Sequence, residues 1–387
     1  MLNFNLHFPT RICFGRGKIE ELGREISRYG NKVLLVYGQG SIKRNGLYEQ
    51  VLQIFRDNSI AHVEVSGVQA NPRISSVRQG AELCKKNDIH LVLAVGGGST
   101  IDCAKIIAAG AGYEGDPWDF FTGRSRISHA LPVGAVLTLA ATGSEMNSNA
   151  VISNDETAQK LGTASSALIP RFSILDPEYT FSVPPAQTAA GTIDIMSHVF
   201  EQYFSPTPDT FIQDRLAEAM LKTCIHYGPI AMAEPDNYEA RANLMWAGSL
   251  ALNGLLKAGK HTDWATHGIE HEISALYDVT HGLGLAILTP HWMRYVLDSR
   301  TAPQLAEYAR NVWNLEGEEM ALARAGIEKT AEFFKSLNLA TSLSAIGVEE
   351  NRLAEMAVKA TSGGALGSFK KLEYQDVLNI LQAAYAG

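Results

Sequence analysis

Between residues 32 and 109 the chain alternates short, continuous apolar runs with segments of helical period, and this alternation restricts the fold more than any other feature. Residues 32–37 (KVLLVY) and 90–95 (HLVLAV) are apolar almost throughout, as strands covered on both faces must be, and residues 61–66 read as a third strand. Helical patterns lie between and after them, at residues 46–58, 74–87 and 101–109. A strand followed by a helix and another strand returns to the same end of the sheet, so the expected sheet is parallel with helices on its faces. Residues 133–137 add a strand, residues 172–176 close the sheet, and the polar 154–157 turn between 150–153 and 160–162 reads as a hairpin.

Pro177, Pro184 and Pro185 interrupt this pattern in a stretch poor in helical period. Beyond it strand signals fade, and helical periods recur around Ile212, over 241–255, 306–313 and 349–359. A chain of 387 residues exceeds what one core supports, so two domains are expected. These are an α/β dinucleotide-binding domain over residues 1–185 and an all-α metal-binding domain over 186–387. Thirty-three basic against 41 acidic residues, with no Lys/Arg-rich run, argue against a nucleic-acid partner. No run of eighteen apolar residues argues for a membrane span, and the first residues lack a basic segment followed by an apolar one. Four cysteines scattered without C-x-x-C spacing fit reduced thiols, so the expected location is the cytoplasm.

Two groups of residues carry chemistry. Gly96-Gly97-Gly98-Ser99-Thr100 joins a buried strand to a helix, where glycines admit a phosphate and the helix N-terminus favours its charge. The spacing is not G-x-G-x-x-G. The earlier turn Gly38-Gln39-Gly40-Ser41-Ile42-Lys43-Arg44 has two cations and no early carboxylate, which favours the 2′-phosphate of NADP(H) over NAD(H), with Lys43 as its partner. In the second half, Asp194 and His198 are one helical turn apart, as are His267 and His271, and His281 follows in a Gly-rich segment expected to end the second helix. With 11 histidines in the chain, a single such pair is a weak signal. Two pairs and a third imidazole make Asp194, His198, His267 and His281 a shell for one divalent metal, with His271 to spare.

GGGSTIDCAK, ATGSE at 141–145, the Asp194/His198 and His267/His271 pairs and HGLGLAILTP together make the chain resemble the iron-containing (group III) alcohol dehydrogenases, in their butanol dehydrogenase and aldehyde reductase branch. The resemblance spans nearly the whole chain. It implies a dehydroquinate synthase-like fold, an α/β nucleotide-binding domain followed by a helical one, and a homodimer joined through N-terminal strands. It assigns the metal, Fe²⁺ or Zn²⁺, to Asp194, His198, His267 and His281, and places His271 by the reacting carbon. Gly97, Gly98 and Ser99 would hold the pyrophosphate, with Asp102 toward the nicotinamide. Thr138 and Leu139 would line the adenine or ribose side, Lys160 would bond a ribose hydroxyl, and Gly38, Gly40 and Ser41 would meet the adenosine end.

The expected reaction is hydride transfer between NADP(H) and a small primary alcohol or aldehyde. Its rivals are a dehydroquinate-synthase-like lyase and a non-catalytic nucleotide sensor. The lyase grips an acidic substrate, yet residues 193–203 and 263–293 contain no Lys or Arg. Trp264, Leu283 and Trp292 are candidates to line an apolar pocket.

Overall fold

The computed structural model describes residues 1–387. Eight strands form, β1 (Arg11–Phe14), β2 (Lys32–Gly38), β3 (Ala61–Val68), β4 (Leu91–Gly96), β5 (Val133–Leu137), β6 (Asn149–Asn154), β7 (Gln159–Ala164) and β8 (Phe172–Leu175). Six of them make one parallel sheet in the order β1-β8-β5-β4-β2-β3, while β6 and β7 pair antiparallel as a separate hairpin. Pleating sends Leu34 and Val36 of β2 into a core with the helices Ile74–Asn87 and Gly98–Gly110. Val33, Leu35 and Tyr37 go to the opposite core, with Leu22, Val51 and Phe55. Burial on both faces is why β2 and β4 read as continuous apolar runs.

The chain divides into two compact units, and no single cut separates them. One is His7–Val183 with Glu234–Asn253; the other is Met1–Leu6, Pro184–Ala233 and Gly254–Gly387. The helix Tyr238–Ala251 therefore belongs with the sheet, whereas a division at 185 assigns it to the helical half. Its amphipathic period says that one face is covered but not by which unit. In the helical unit Pro185–Tyr203 is buried along nearly its whole length from Thr188. No helix is long and apolar enough to cross a membrane.

One local expectation is corrected. The helix Ala265–Tyr277 ends at Asp278, in the left-handed conformation (φ 52°), and His281 opens the next helix, His281–Val296. The glycines after His281 thus lie inside a helix, and they permit close packing there. A Cβ on Gly282 would lie 2.1 Å from the carbonyl oxygen of Ala190.

Candidate functional site

Three helices of the helical unit bring the predicted metal ligands together. Asp194 and His198 sit on Pro185–Tyr203, His267 on Ala265–Tyr277, and His281 begins His281–Val296. One ligand atom each from Asp194, His267 and His281 lie within 4.8 Å of one another. His281 Nε2 is 3.8 Å from Asp194 Oδ1. His198 Nδ1 is 3.3 Å from the same oxygen, and the His198 and His267 ring centres are 4.7 Å apart. A tetrahedral shell with metal–nitrogen bonds of about 2.1 Å sets its donors about 3.4 Å apart, and Asp194, His267 and His281 cluster near that spacing, while His198 stands beside Asp194 and outside that cluster.

Two carboxylates that the sequence reading missed fix the imidazoles. Glu201 Oε1 accepts from His267 Nδ1 at 3.0 Å, and Glu270 Oε2 accepts from His281 Nδ1. Each bond places the ring proton on Nδ1 and leaves Nε2 as a lone pair. The Nε2 of His267 is buried with no hydrogen-bond partner in the protein, which is the state of a nitrogen built to face an electrophile. Burial, and next the neighbouring His267 and His281, hold His198 well below the ordinary histidine pKa, so it is neutral as a ligand must be.

Glu201 also builds the helix start that carries His267. Its carboxylate accepts from the N–H of Trp264 at 2.7 Å, the N–H of His267 at 3.1 Å and the hydroxyl of Thr266. Trp264 itself is left-handed (φ 68°), a strained state for an aromatic residue that these bonds hold in place. Asp263 accepts from the N–H groups of Ala265, Ser368 and Phe369. Burial, then the charge of Glu201, push its carboxyl up to about 7. A signal for both glutamates was present in the sequence, because each follows a ligand histidine by three residues, in His198-Val-Phe-Glu201 and His267-Gly-Ile-Glu270. The partners are crossed, however, with Glu201 serving His267 and Glu270 serving His281.

His271 lies one turn beyond His267, half-buried, with its ring centre 5.8 Å from that of His281. Trp264 stands edge-on to His267 at 5.2 Å. Trp292 is only 1% exposed and packs on Phe204 and Phe369, so it is core and not a pocket wall.

In the sheet unit, β4 runs into Gly97 and the helix Gly98–Gly110, which begins three residues earlier than its pattern predicts. A Cβ on Gly98 would fall 2.2 Å from Thr142 Oγ1, and one on Gly97 3.1 Å from Leu139 Cβ, so glycine at these positions is what lets Thr142 and Leu139 pack against this helix end. The first N–H groups of a helix have no partner within it and form an anion site. Ser99 donates its hydroxyl to the Ala70 carbonyl, so its backbone N–H and not its side chain is what it can offer a phosphate. Gly40 is left-handed (φ 108°) with open space where a Cβ would stand, beside Gly38 and Ser41. Thr138 donates its N–H to the Gly96 carbonyl, and Lys160 is buried on β7.

Two predicted cofactor residues have other engagements. Asp102 accepts from Ser144 Oγ at 2.5 Å and from the Val151 N–H at 2.9 Å, which turns both its oxygens into the fold. Lys43 places its ammonium 4.5 Å from the Tyr48 ring centre and 5.1 Å from that of Tyr37, and both tyrosine hydroxyls donate to Glu64.

Residues 9–177 match the family model of iron-containing alcohol dehydrogenases, and residues 188–385 match that of the family's C-terminal domain. The chain belongs to this family. It is 52% identical to NADH-dependent butanol dehydrogenase A of Clostridium acetobutylicum, over 100% of both chains. It is 42% identical to the NADPH-dependent aldehyde reductase YqhD of Escherichia coli, over 94% of each. Among solved structures, NADH-dependent butanol dehydrogenase A of Thermotoga maritima superposes with a TM-score of 0.96 at 43% identity, covering 100% of this chain and 99% of the other. An iron-containing alcohol dehydrogenase thus has its characteristic sheet and helical units here, as the motifs implied.

Proposed function

We propose that this alcohol and aldehyde oxidoreductase interconverts small aldehydes such as butanal and their primary alcohols, moving hydride to and from a nicotinamide dinucleotide. The observation that carries this reading is the buried, partnerless Nε2 of His267, aimed with Asp194 and His281 into one cluster. Asp194, His198, His267 and His281 would hold one divalent metal, and three imidazoles with a carboxylate suit Fe²⁺ or Zn²⁺. When bound there, the metal polarises the carbonyl oxygen or acidifies the alcohol hydroxyl, according to direction. Glu201 and Glu270 keep the imidazoles in the binding tautomer, and His271 passes the substrate's hydroxyl proton toward solvent. Gly97, Gly98 and the Ser99 N–H receive the pyrophosphate, while Gly38, Gly40 and Ser41 receive the adenosine end.

Of the two cations that favour NADP(H), Lys43 is engaged over two tyrosine rings, which leaves Arg44 and the lack of an early carboxylate as support for a 2′-phosphate. The relatives at 47–52% identity are called NADH-dependent. We therefore assign NAD(H) as the preferred dinucleotide. A lyase for an acidic substrate lacks cations in the ligand segments, and a sensor would not need a full ligand set. Four free, buried cysteines support the cytoplasmic placement, and exposed apolar residues near the N-terminus support a homodimer.

The test is NADH or NADPH oxidation by butanal with chelator-stripped protein, before and after adding Fe²⁺ or Zn²⁺. Turnover is expected only with metal, and faster with NADH. Absence of turnover with both metals, in protein that binds nucleotide, would remove the oxidoreductase assignment.

A further inference from the structure

Lys105 lies in the middle of the Gly98–Gly110 helix and is 0% exposed, yet it faces no single carboxylate partner. Its Nζ donates to Ser144 Oγ at 2.8 Å, Asn147 Oδ1 at 3.0 Å and the Asn149 carbonyl at 2.8 Å. Three acceptors meet three ammonium hydrogens, which is the full donor capacity of a charged lysine. All three acceptors belong to the segment 142–149, which runs from the helix end to β6. Within it, the Ser144 N–H donates to Thr142 Oγ1, and Asn147 Nδ2 donates to the Thr142 carbonyl. Thr142 is the residue whose side chain packs on Gly98. One buried ammonium therefore fastens the segment that covers the phosphate-binding end of the helix.

We infer that Lys105 is a positioning residue for the dinucleotide, acting through Ser144, Asn147 and Thr142 to shape the Gly97–Gly98–Ser99 cradle. The inference rests on the reading of that helix end as the pyrophosphate site. Deprotonation removes one donor and turns a lone pair toward an acceptor, so the amine cannot hold all three contacts. Burial lowers the Lys105 pKa to about 8, against the charges of Asp102 on its own helix and Glu145 in the segment above it, which raise it. Nucleotide binding favours the ammonium form, so affinity falls as pH rises through that value and is constant below it.

The experiment is a fluorescence titration of NADH into metal-free protein from pH 6.5 to 9.5, for the natural chain and for Lys105→Met. The natural chain should hold a constant Kd to about pH 7.5 and weaken about tenfold by pH 9.5. Lys105→Met should bind about tenfold more weakly at pH 7 and show no pH dependence, while still taking up metal in the other unit. A flat profile for the natural chain, or parallel profiles for the two proteins, overturns the role of Lys105. If the variant does not fold, the natural profile alone decides. Absence of NADH and NADPH binding by the natural chain at every pH instead overturns the dinucleotide site, and the inference with it.

Discussion

Glu201 and Glu270 make similar bonds to their histidines, yet their surroundings differ enough to separate their mutants. Glu201 receives four donors, the N–H groups of Trp264 and His267, the Thr266 hydroxyl and His267 Nδ1. Glutamine at 201 would put an NH₂ group among those donors, where it can only oppose one of them. Glu270 receives the Ser274 hydroxyl and His281 Nδ1, and Ser274 has the Val279 carbonyl as a second acceptor at 3.0 Å. Glutamine at 270 can donate to Ser274 Oγ while Ser274 turns to Val279. Both changes lose the negative charge that raises imidazole basicity. Expected losses of metal affinity are about tenfold for Glu270→Gln and about a hundredfold for Glu201→Gln, measured by competition with a chromophoric chelator. Equal losses would show that the donor crowd around Glu201 does not matter. The candidate ligands could be picked from the sequence because their chemistry and helical spacing are both local. The glutamates were present at a readable spacing, but which histidine each serves depends on how three helices cross.

At the scale of elements, the proposed metal shell depends on the contact between His281–Val296 and Pro185–Tyr203. Gly282 lies against the Ala190 carbonyl, one turn before Asp194, so a Cβ 2.1 Å from that oxygen meets backbone that cannot rotate away. Gly282→Ala must push the helices apart, and His281 leaves Asp194 as they part. Overpacking of this kind costs about 3 kcal/mol, and the expected result is a lower thermal midpoint together with lost metal uptake. Gly363→Ala, where nothing lies within 4 Å of the added Cβ, is the control and should match the natural chain in both. Retained metal affinity in Gly282→Ala would mean that the shell does not depend on this contact. The sequence suggested a turn at HGLG because glycine is common at helix ends; its use here, to let two backbones approach, has the same local signature. By contrast β2, β4 and β5 were plain from their apolar runs, since burial on both faces leaves no alternation to misread.

At the scale of the whole molecule, the parallel sheet and the helical second half follow from patterns along the chain. The return of Tyr238–Ala251 to the sheet unit does not, because it is a contact between segments far apart in sequence. The N-terminus is held at its start, where the Met1 ammonium donates to the Pro208 carbonyl and the Leu2 N–H to the Gly259 carbonyl. Residues 1–10 have neither helix nor ladder, yet Leu2, Phe4, Leu6 and Phe8 alternate with Asn3, Asn5 and His7 at the two-residue period of a strand. These four apolar side chains are 43%, 49%, 40% and 43% exposed. An extended segment with an exposed apolar row is a surface to be covered, and under two-fold symmetry the same segment of a second copy can cover it. The expected solution species is therefore a dimer, with a light-scattering mass twice that of the 42.0 kDa chain. Phe4→Asp with Phe8→Asp places charge in the row and should return the monomer mass at micromolar concentration. NADH binding and metal content should persist in that variant, because no residue assigned to either site lies within residues 1–10. A natural chain that stays at 42.0 kDa, or a doubly charged variant that stays dimeric, would show that this segment does not join two copies.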